Sequence, residues 1–196
     1  ARRPARAAAS GPGQPAAEKL GWKISVQHWT YRRFSTFEAL EKAAAARLRH
    51  FEVRANLKLD PRWPDQNTNE GMPDDARKEF KARIHDLGLS IPSVFADFNG
   101  KPDQAKRLFE FWKDIGTDVI VAEPPAGSHD MLDKLCEEYQ MKLALHNHQK
   151  TKSEYWSPDI VLKVCANRGS YVGACADIGQ WARSDLDPVE CLRKLE

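Results

Sequence analysis

The chain has 196 residues, enough for one domain of ordinary size and too few for two well-buried ones. With 41% apolar, 9% aromatic and 30% charged residues it has the composition of a globular chain, and it contains no run of 18 or more apolar residues that would make a candidate membrane-spanning helix. The net charge of +2 is concentrated at the start, where Arg2, Arg3, Arg6 and Lys19 face only Glu18; residues 21–196 hold 26 basic against 27 acidic side chains, a net of −1, which gives no electrostatic case for a nucleic-acid partner.

Of the first 17 residues, 13 are Ala, Pro, Gly or Ser, and nothing larger than Ala among the apolar residues precedes Leu20. Residues 1–20 therefore read as a flexible tail ahead of a folded part, 21–196. The Arg2-Arg3 pair before an Ala-rich stretch has the look of an export-signal remnant, but the apolar stretch is too short for a working signal. The compartment stays open between cytoplasmic and periplasmic.

From Trp22 onward short β-rich runs alternate with longer helical patterns. The predicted strands are Trp22–His28, Phe51–Arg54, Leu89–Phe95, Val119–Glu123, Lys142–His148 and Tyr171–Asp177. Between and after them the periodicity predicts helices over Thr36–Arg49, Asp74–Leu87, Pro102–Ile115, His129–Tyr139, Pro158–Ala166 and Pro188–Leu195. Ser157-Pro158 and Asp187-Pro188 each put a capping side chain before a proline suited to a first helical turn.

Strands alternating with helices of this length indicate βα units on a parallel sheet. No junction carries GxGxxG or GxxxxGK[ST], so a doubly wound nucleotide-binding sheet fits poorly. The expectation is an α/β fold of TIM-barrel (βα) type. Eight units take about 250 residues; about six are present here, which predicts a C-terminally incomplete barrel lacking its last two strands. Open strand edges would favour self-association, as a homo-oligomer.

In such barrels the chemistry sits at the C-terminal ends of the strands. The fourth predicted strand ends in Glu123 before Pro124-Pro125, the fifth in His146-Asn147-His148 and the sixth in Asp177. Period-two alternation places Leu143 and Leu145 on one face and Ala144, His146 and His148 on the other. Glu123, His146 and Asp177 at neighbouring strand tips make a metal-binding set, the mixed nitrogen and oxygen donors suiting Mn²⁺, Zn²⁺, Co²⁺ or, less well, Mg²⁺. Taken singly each has a plainer reading: a solvent-facing carboxylate, a structural histidine pair, a capping aspartate.

Glu52 and Arg54 end the second strand, and Gln27 and His28 the first. His50 and His85 lie at helix ends and read as structural. Trp29, Tyr31, Trp63, Tyr155, Trp156 and Trp181 follow strand ends, where aromatic rings serve either as platforms for sugars or as loop packing. The cysteines Cys136, Cys165, Cys175 and Cys191 show no CxxC spacing and read as small buried hydrophobes.

The stretches GWKISVQHWTYRRF, FEALEKAAA, MLDKLCEEYQMKLALHNH, EYWSPDIVLK and GACADIGQWARSDLDPVECLRKLE resemble the sugar phosphate isomerase/epimerase proteins of the xylose isomerase-like TIM-barrel superfamily, over about residues 20–196. The resemblance implies a divalent metal, most often Mn²⁺, at the barrel mouth and proton transfer beside a carbonyl through an enediolate. Asp177 matches the metal-binding aspartate of the family's Asp-x-Gly-His pattern, with Gln180 where histidine is usual. His146 stands where many members have a glutamate that is both ligand and base, so that Glu123, one strand earlier, would supply the carboxylate. The resemblance thus implies Glu123 and His146 as catalytic residues and metal ligands together with Asp177. His148, Gln180, Glu52 and Trp181 are the candidate substrate-binding side chains.

The expected function is a metal-dependent isomerase or epimerase acting on a small sugar or keto-sugar. A lyase or dehydratase on an oxidised sugar begins with the same proton abstraction and stays open, as does a carbohydrate-binding barrel without activity. A metal-dependent hydrolase would carry its His-x-His pair on the first strand, not the fifth, and the DNA-repair endonuclease branch needs a basic face and more ligands.

Overall fold

A computed structural model describes residues 15–196. Most of the expected tail lies outside these residues, but Pro15–Lys19 form a short helix, α1. Ala16, Ala17, Glu18 and Lys19 are all good helix formers, and Glu18 pairs with Arg49 at 3.1 Å. The described residues divide into two compact units, 15–94 with 115–117, and 95–114 with 118–196.

In the first unit β1 (Ser25–Gln27) runs parallel to β2 (His50–Arg54), with Val26 opposite Phe51 and Gln27 opposite Glu52. A 3-10 turn, His28–Tyr31, follows β1, and α2 (Thr36–Ala45) follows that. Helix α2 starts with a capping box: Glu38 accepts from both the N–H and the hydroxyl of Ser35, each at 2.8 Å, and the Ser35 hydroxyl accepts from the Glu38 N–H. It then buries Phe37, Leu40 and Ala43 at helical spacing. After β2 an antiparallel hairpin, β3 (Lys58–Asp60) and β4 (Trp63–Asn67), precedes α3 (Asp74–Asp86). Polar, proline-containing strands of this kind carry no alternating apolar signal, and the hairpin is absent from the sequence reading.

Strand β5 (Ser93–Phe95) begins in the first unit and ends in the second. In the second unit follow α4 (Pro102–Ile115), β6 (Val119–Ala122), α5 (His129–Tyr139), β7 (Lys142–His146), α6 (Pro158–Cys165), β8 (Val172–Cys175), α7 (Ile178–Ala182) and α8 (Pro188–Lys194). The parallel strand order is β1-β2-β5-β6-β7-β8. This is an α/β fold of six strands alternating with helices, part of a TIM-barrel pattern.

Helix α4 buries Ala105, Leu108, Phe109, Phe111 and Trp112; each large side chain removed from water in this way contributes about 2 kcal/mol. The expected faces of β7 hold: Leu143 and Leu145 are fully covered, while Ala144 is only partly so. Asp187 caps α8 through the N–H groups of Val189 (2.8 Å) and Glu190 (3.3 Å), as predicted. Ser157 makes no capping bond to α6, where the proline alone marks the start.

Candidate metal centre

The register places Ala122 opposite Leu145, so the residues that leave the two strands, Glu123 and His146, are neighbours. Glu123 precedes two prolines, which confine its backbone to extended geometry and hold its side chain on the strand's last course. Its Oε1 lies 3.0 Å from His146 Nδ1 and also bonds His148 Nδ1. The two imidazoles stand edge to face, centroids 4.6 Å apart, as expected for residues two apart on an extended chain. Phe95 closes the other side of His146, its ring 4.9 Å away and nearly perpendicular.

One donor atom from each of Glu123, His146 and His148 lies within 4.8 Å of the others. Two imidazole nitrogens converging on one carboxylate oxygen are chemically suited to Zn²⁺, Mn²⁺ or Co²⁺. Burial pushes the Glu123 carboxyl upward, but hydrogen bonds from His146, Ser153 and His148 and the charge of His148 outweigh it and hold the group below the usual carboxylate range. Glu123 is therefore a carboxylate across neutral pH.

Asp177 plays two parts. Its Oδ1 accepts from the Gln180 N–H at 3.1 Å and caps α7, while its Oδ2 lies 3.5 Å from His146 Nε2, a charge contact that is long for a hydrogen bond. It stands at the far nitrogen of His146, outside the three-residue cluster. His148, expected as a substrate contact, is inside that cluster. Gln180 sits half-buried in the first turn of α7. Trp181 is 1% exposed, so its ring is packed inside and offers no open platform. Glu52 belongs to the first unit, on β2, where its carboxylate accepts the Ser93 hydroxyl at 2.6 Å.

Three residues outside the candidate site set, Ser153, Tyr155 and Asn147, support the cluster. Ser153 bonds Glu123 and accepts from the Tyr155 N–H at 3.0 Å. Tyr155, buried, donates its hydroxyl to the Pro124 carbonyl next to Glu123 and receives His129 Nε2 at 2.7 Å; burial pushes its phenol up. Asn147, 1% exposed, bonds the Asp177 main chain twice, donating to its carbonyl at 3.0 Å and accepting from its N–H at 2.8 Å. A polar residue between two histidines was the available signal for Asn147; Tyr155 was legible as an aromatic past a strand end, and Ser153 had no signal.

No protein-family model matches the chain, and no curated protein matches it in sequence. Solved structures do. An uncharacterised protein from Parabacteroides distasonis ATCC 8503 is 26% identical with a TM-score of 0.75, over 89% of this chain and 70% of that one. A D-tagatose 3-epimerase-like protein superposes at a TM-score of 0.67, with 17% identity over 88% of this chain and 71% of that one. The 3-keto-D-glucoside 4-epimerase of E. coli does so at 0.63, with 12% identity over 88% and 74%.

The fold is that of the xylose isomerase-like TIM barrels. In a TIM barrel the side chains at the C-terminal strand ends face the site. Glu123 follows β6, His146 ends β7 and Asp177 follows β8, so all three stand at such ends.

Proposed function

We propose that the chain serves a metal-dependent isomerase or epimerase acting on a small sugar or keto-sugar, with the cation held by Glu123, His146 and His148. The observation that carries the reading is the convergence of these three donors at two adjacent strand ends. The epimerases with similar folds lend support to the sugar class. A divalent cation bound there supplies a Lewis acid for a carbonyl oxygen; Mn²⁺ is the first choice and Zn²⁺, Co²⁺ and Mg²⁺ follow.

The chain's own groups do the rest. Glu123, ionised at neutral pH, accepts the proton from the carbon beside the carbonyl; its return to the neighbouring carbon gives an aldose–ketose pair, while an epimer requires that the first carbon take its new proton on the opposite face, from a second acid. His146, contacted at both ring nitrogens, keeps the carboxylate and the aspartate in fixed relation. With a cation in place of the Nδ1 proton that now meets Glu123, Asp177 would hold the remaining ring proton on Nε2 and leave Nδ1 as the ligand atom.

The test is metal content after dialysis against metal-free buffer, followed by NMR of D-fructose, D-tagatose and a 3-keto-glucoside in D₂O. Near-stoichiometric metal with deuterium entering at the carbon beside the carbonyl supports the reading. A metal-free chain that incorporates none overturns it, and loss of water from an oxidised sugar would assign a dehydratase instead.

A further inference from the structure

Strand β8 ends its ladder at Cys175, which pairs with His146. Two residues on, Asp177 has left the ladder for α7; its C=O accepts from the Gln180 and Trp181 N–H groups of that helix at 3.1 and 3.3 Å, while its N–H bonds the Asn147 side chain. The Asn147 carboxamide accepts from that N–H and adds a further donor to the C=O, since it carries one acceptor and one donor spaced like those of a peptide group, and it uses both on the same residue. Alternation turns Asn147 to the side opposite His146 and His148, so it reaches β8 without entering the donor cluster.

From these contacts we infer that Asn147 is a positioning residue, which sets the Asp177 carboxylate against His146 Nε2 and thereby orients His146 for the metal. The link runs through three fixed points. Asn147 grips the Asp177 main chain, the Gln180 N–H holds Oδ1, and the remaining oxygen, Oδ2, is left facing the imidazole. With both the backbone and one oxygen held, the side chain has little freedom to turn away. The inference rests on the proposed metal site, and it adds a residue that touches neither metal nor substrate.

The experiment uses the full chain and two readouts. Residue-resolved hydrogen exchange is measured for wild type, Asn147→Ala and Asn147→Asp, the last keeping the volume but placing an acceptor against the Asp177 carbonyl. Slow exchange at the Asp177 amide in wild type, accelerated at least about tenfold in Asn147→Ala, is expected. Unchanged exchange there overturns the clamp, whether or not metal binds. Mn²⁺ affinity is then measured by chelator competition for wild type, Asn147→Ala, Asp177→Asn and the double variant.

Both single variants are expected to weaken binding about 10–100-fold, the range for partners that orient a metal-binding histidine. The double variant is expected to be no weaker than Asp177→Asn alone. Additive losses would assign Asn147 a general structural role and overturn the positioning inference. A wild type that takes up no Mn²⁺, Zn²⁺ or Co²⁺ would overturn the metal reading, and with it the positioning role, while the exchange data still decide the clamp. Should Asn147→Ala not fold, Asn147→Asp carries both measurements.

Discussion

His28 and Phe51 face one another inside the first unit, ring centroids 5.3 Å apart, and neither nitrogen of His28 has a hydrogen-bond partner among the described residues. The imidazole is fully buried, and burial pushes its pKa down to about 4. In the unfolded chain the group returns to about 6.5. Below that pH the unfolded chain binds a proton that the folded chain refuses, so stability falls as the pH drops from about 6.5 to about 4 and levels off beneath. The full loss is about 3 kcal/mol. Urea unfolding at pH 7, 5 and 4 measures it, and His28→Leu is expected to abolish this part of the acid sensitivity while remaining at least as stable at pH 7. An equally steep acid loss in His28→Leu would assign the effect to another group.

Thr36 and Thr68 tie α2 to the hairpin. Both are fully buried; their hydroxyls are 2.6 Å apart, and the Thr36 hydroxyl donates onward to the Lys58 carbonyl at 2.9 Å. Thr36→Val strands the Thr68 hydroxyl and is expected to cost about 1–3 kcal/mol in urea unfolding. Thr36→Val with Thr68→Val removes the stranded group, and its cost should fall below the sum of the two single variants.

Glu123 sits between two histidines, a serine and burial. Glu123→Gln keeps the shape and removes the charge, and it is expected to weaken metal binding by more than about 100-fold, beyond the range for residues that only orient a ligand. Because the folded carboxyl is held below its ordinary value, its contribution to stability is present above the ordinary carboxylate pKa and is lost as the pH falls through the folded one. The acid limb of the metal-free protein should therefore be shallower in Glu123→Gln, a difference that denaturant titrations at pH 6 and 3 would reveal.

Cys136 is fully buried in α5, and its thiol is pushed up to about 12, by burial first and by Asp133 second. At pH 8 almost no thiolate is present to react. Thiol labelling of the native protein is expected to give the same count for wild type and Cys136→Ala, and in denaturant one fewer for the variant. A difference between the native counts would mean that α5 opens readily.

The alternation of strands and helices was legible because burial imposes it. Helices α4 and α5 match the predicted Pro102–Ile115 and His129–Tyr139, since a stripe of large apolar residues specifies them and Gly116 marks the end of α4. Strand ends were less legible. The run Trp22–His28 reduces to Ser25–Gln27, because a ladder extends only as far as its partner, and Trp22 and Ile24 remain exposed. The hairpin Lys58–Asn67 and the short α7 left no trace, one having short strands with few apolar residues and the other being only five residues long.

For the site, Glu123 and His146 were readable as polar groups ending apolar strands, and alternation correctly put His148 beside His146. Whether Asp177 meets the cluster directly or through His146 depends on a side-chain rotation, which position in a sequence does not encode. Trp181 shows the same limit from the other side, since a ring just past a strand end serves a rim or a core equally well, and here it is in the core.

Glu123, His146 and His148 all fall within one strand–helix–strand segment, on the strands β6 and β7, which pair directly. Closing that single connection is enough to assemble the donors, and the entropy of closing it is modest because the loop is short. If the proposed cation is present while the chain folds, it would engage this pair before residues far upstream are in place, and since ligand binding adds to the stability of whatever binds it, the ion would then act as a local nucleus for folding.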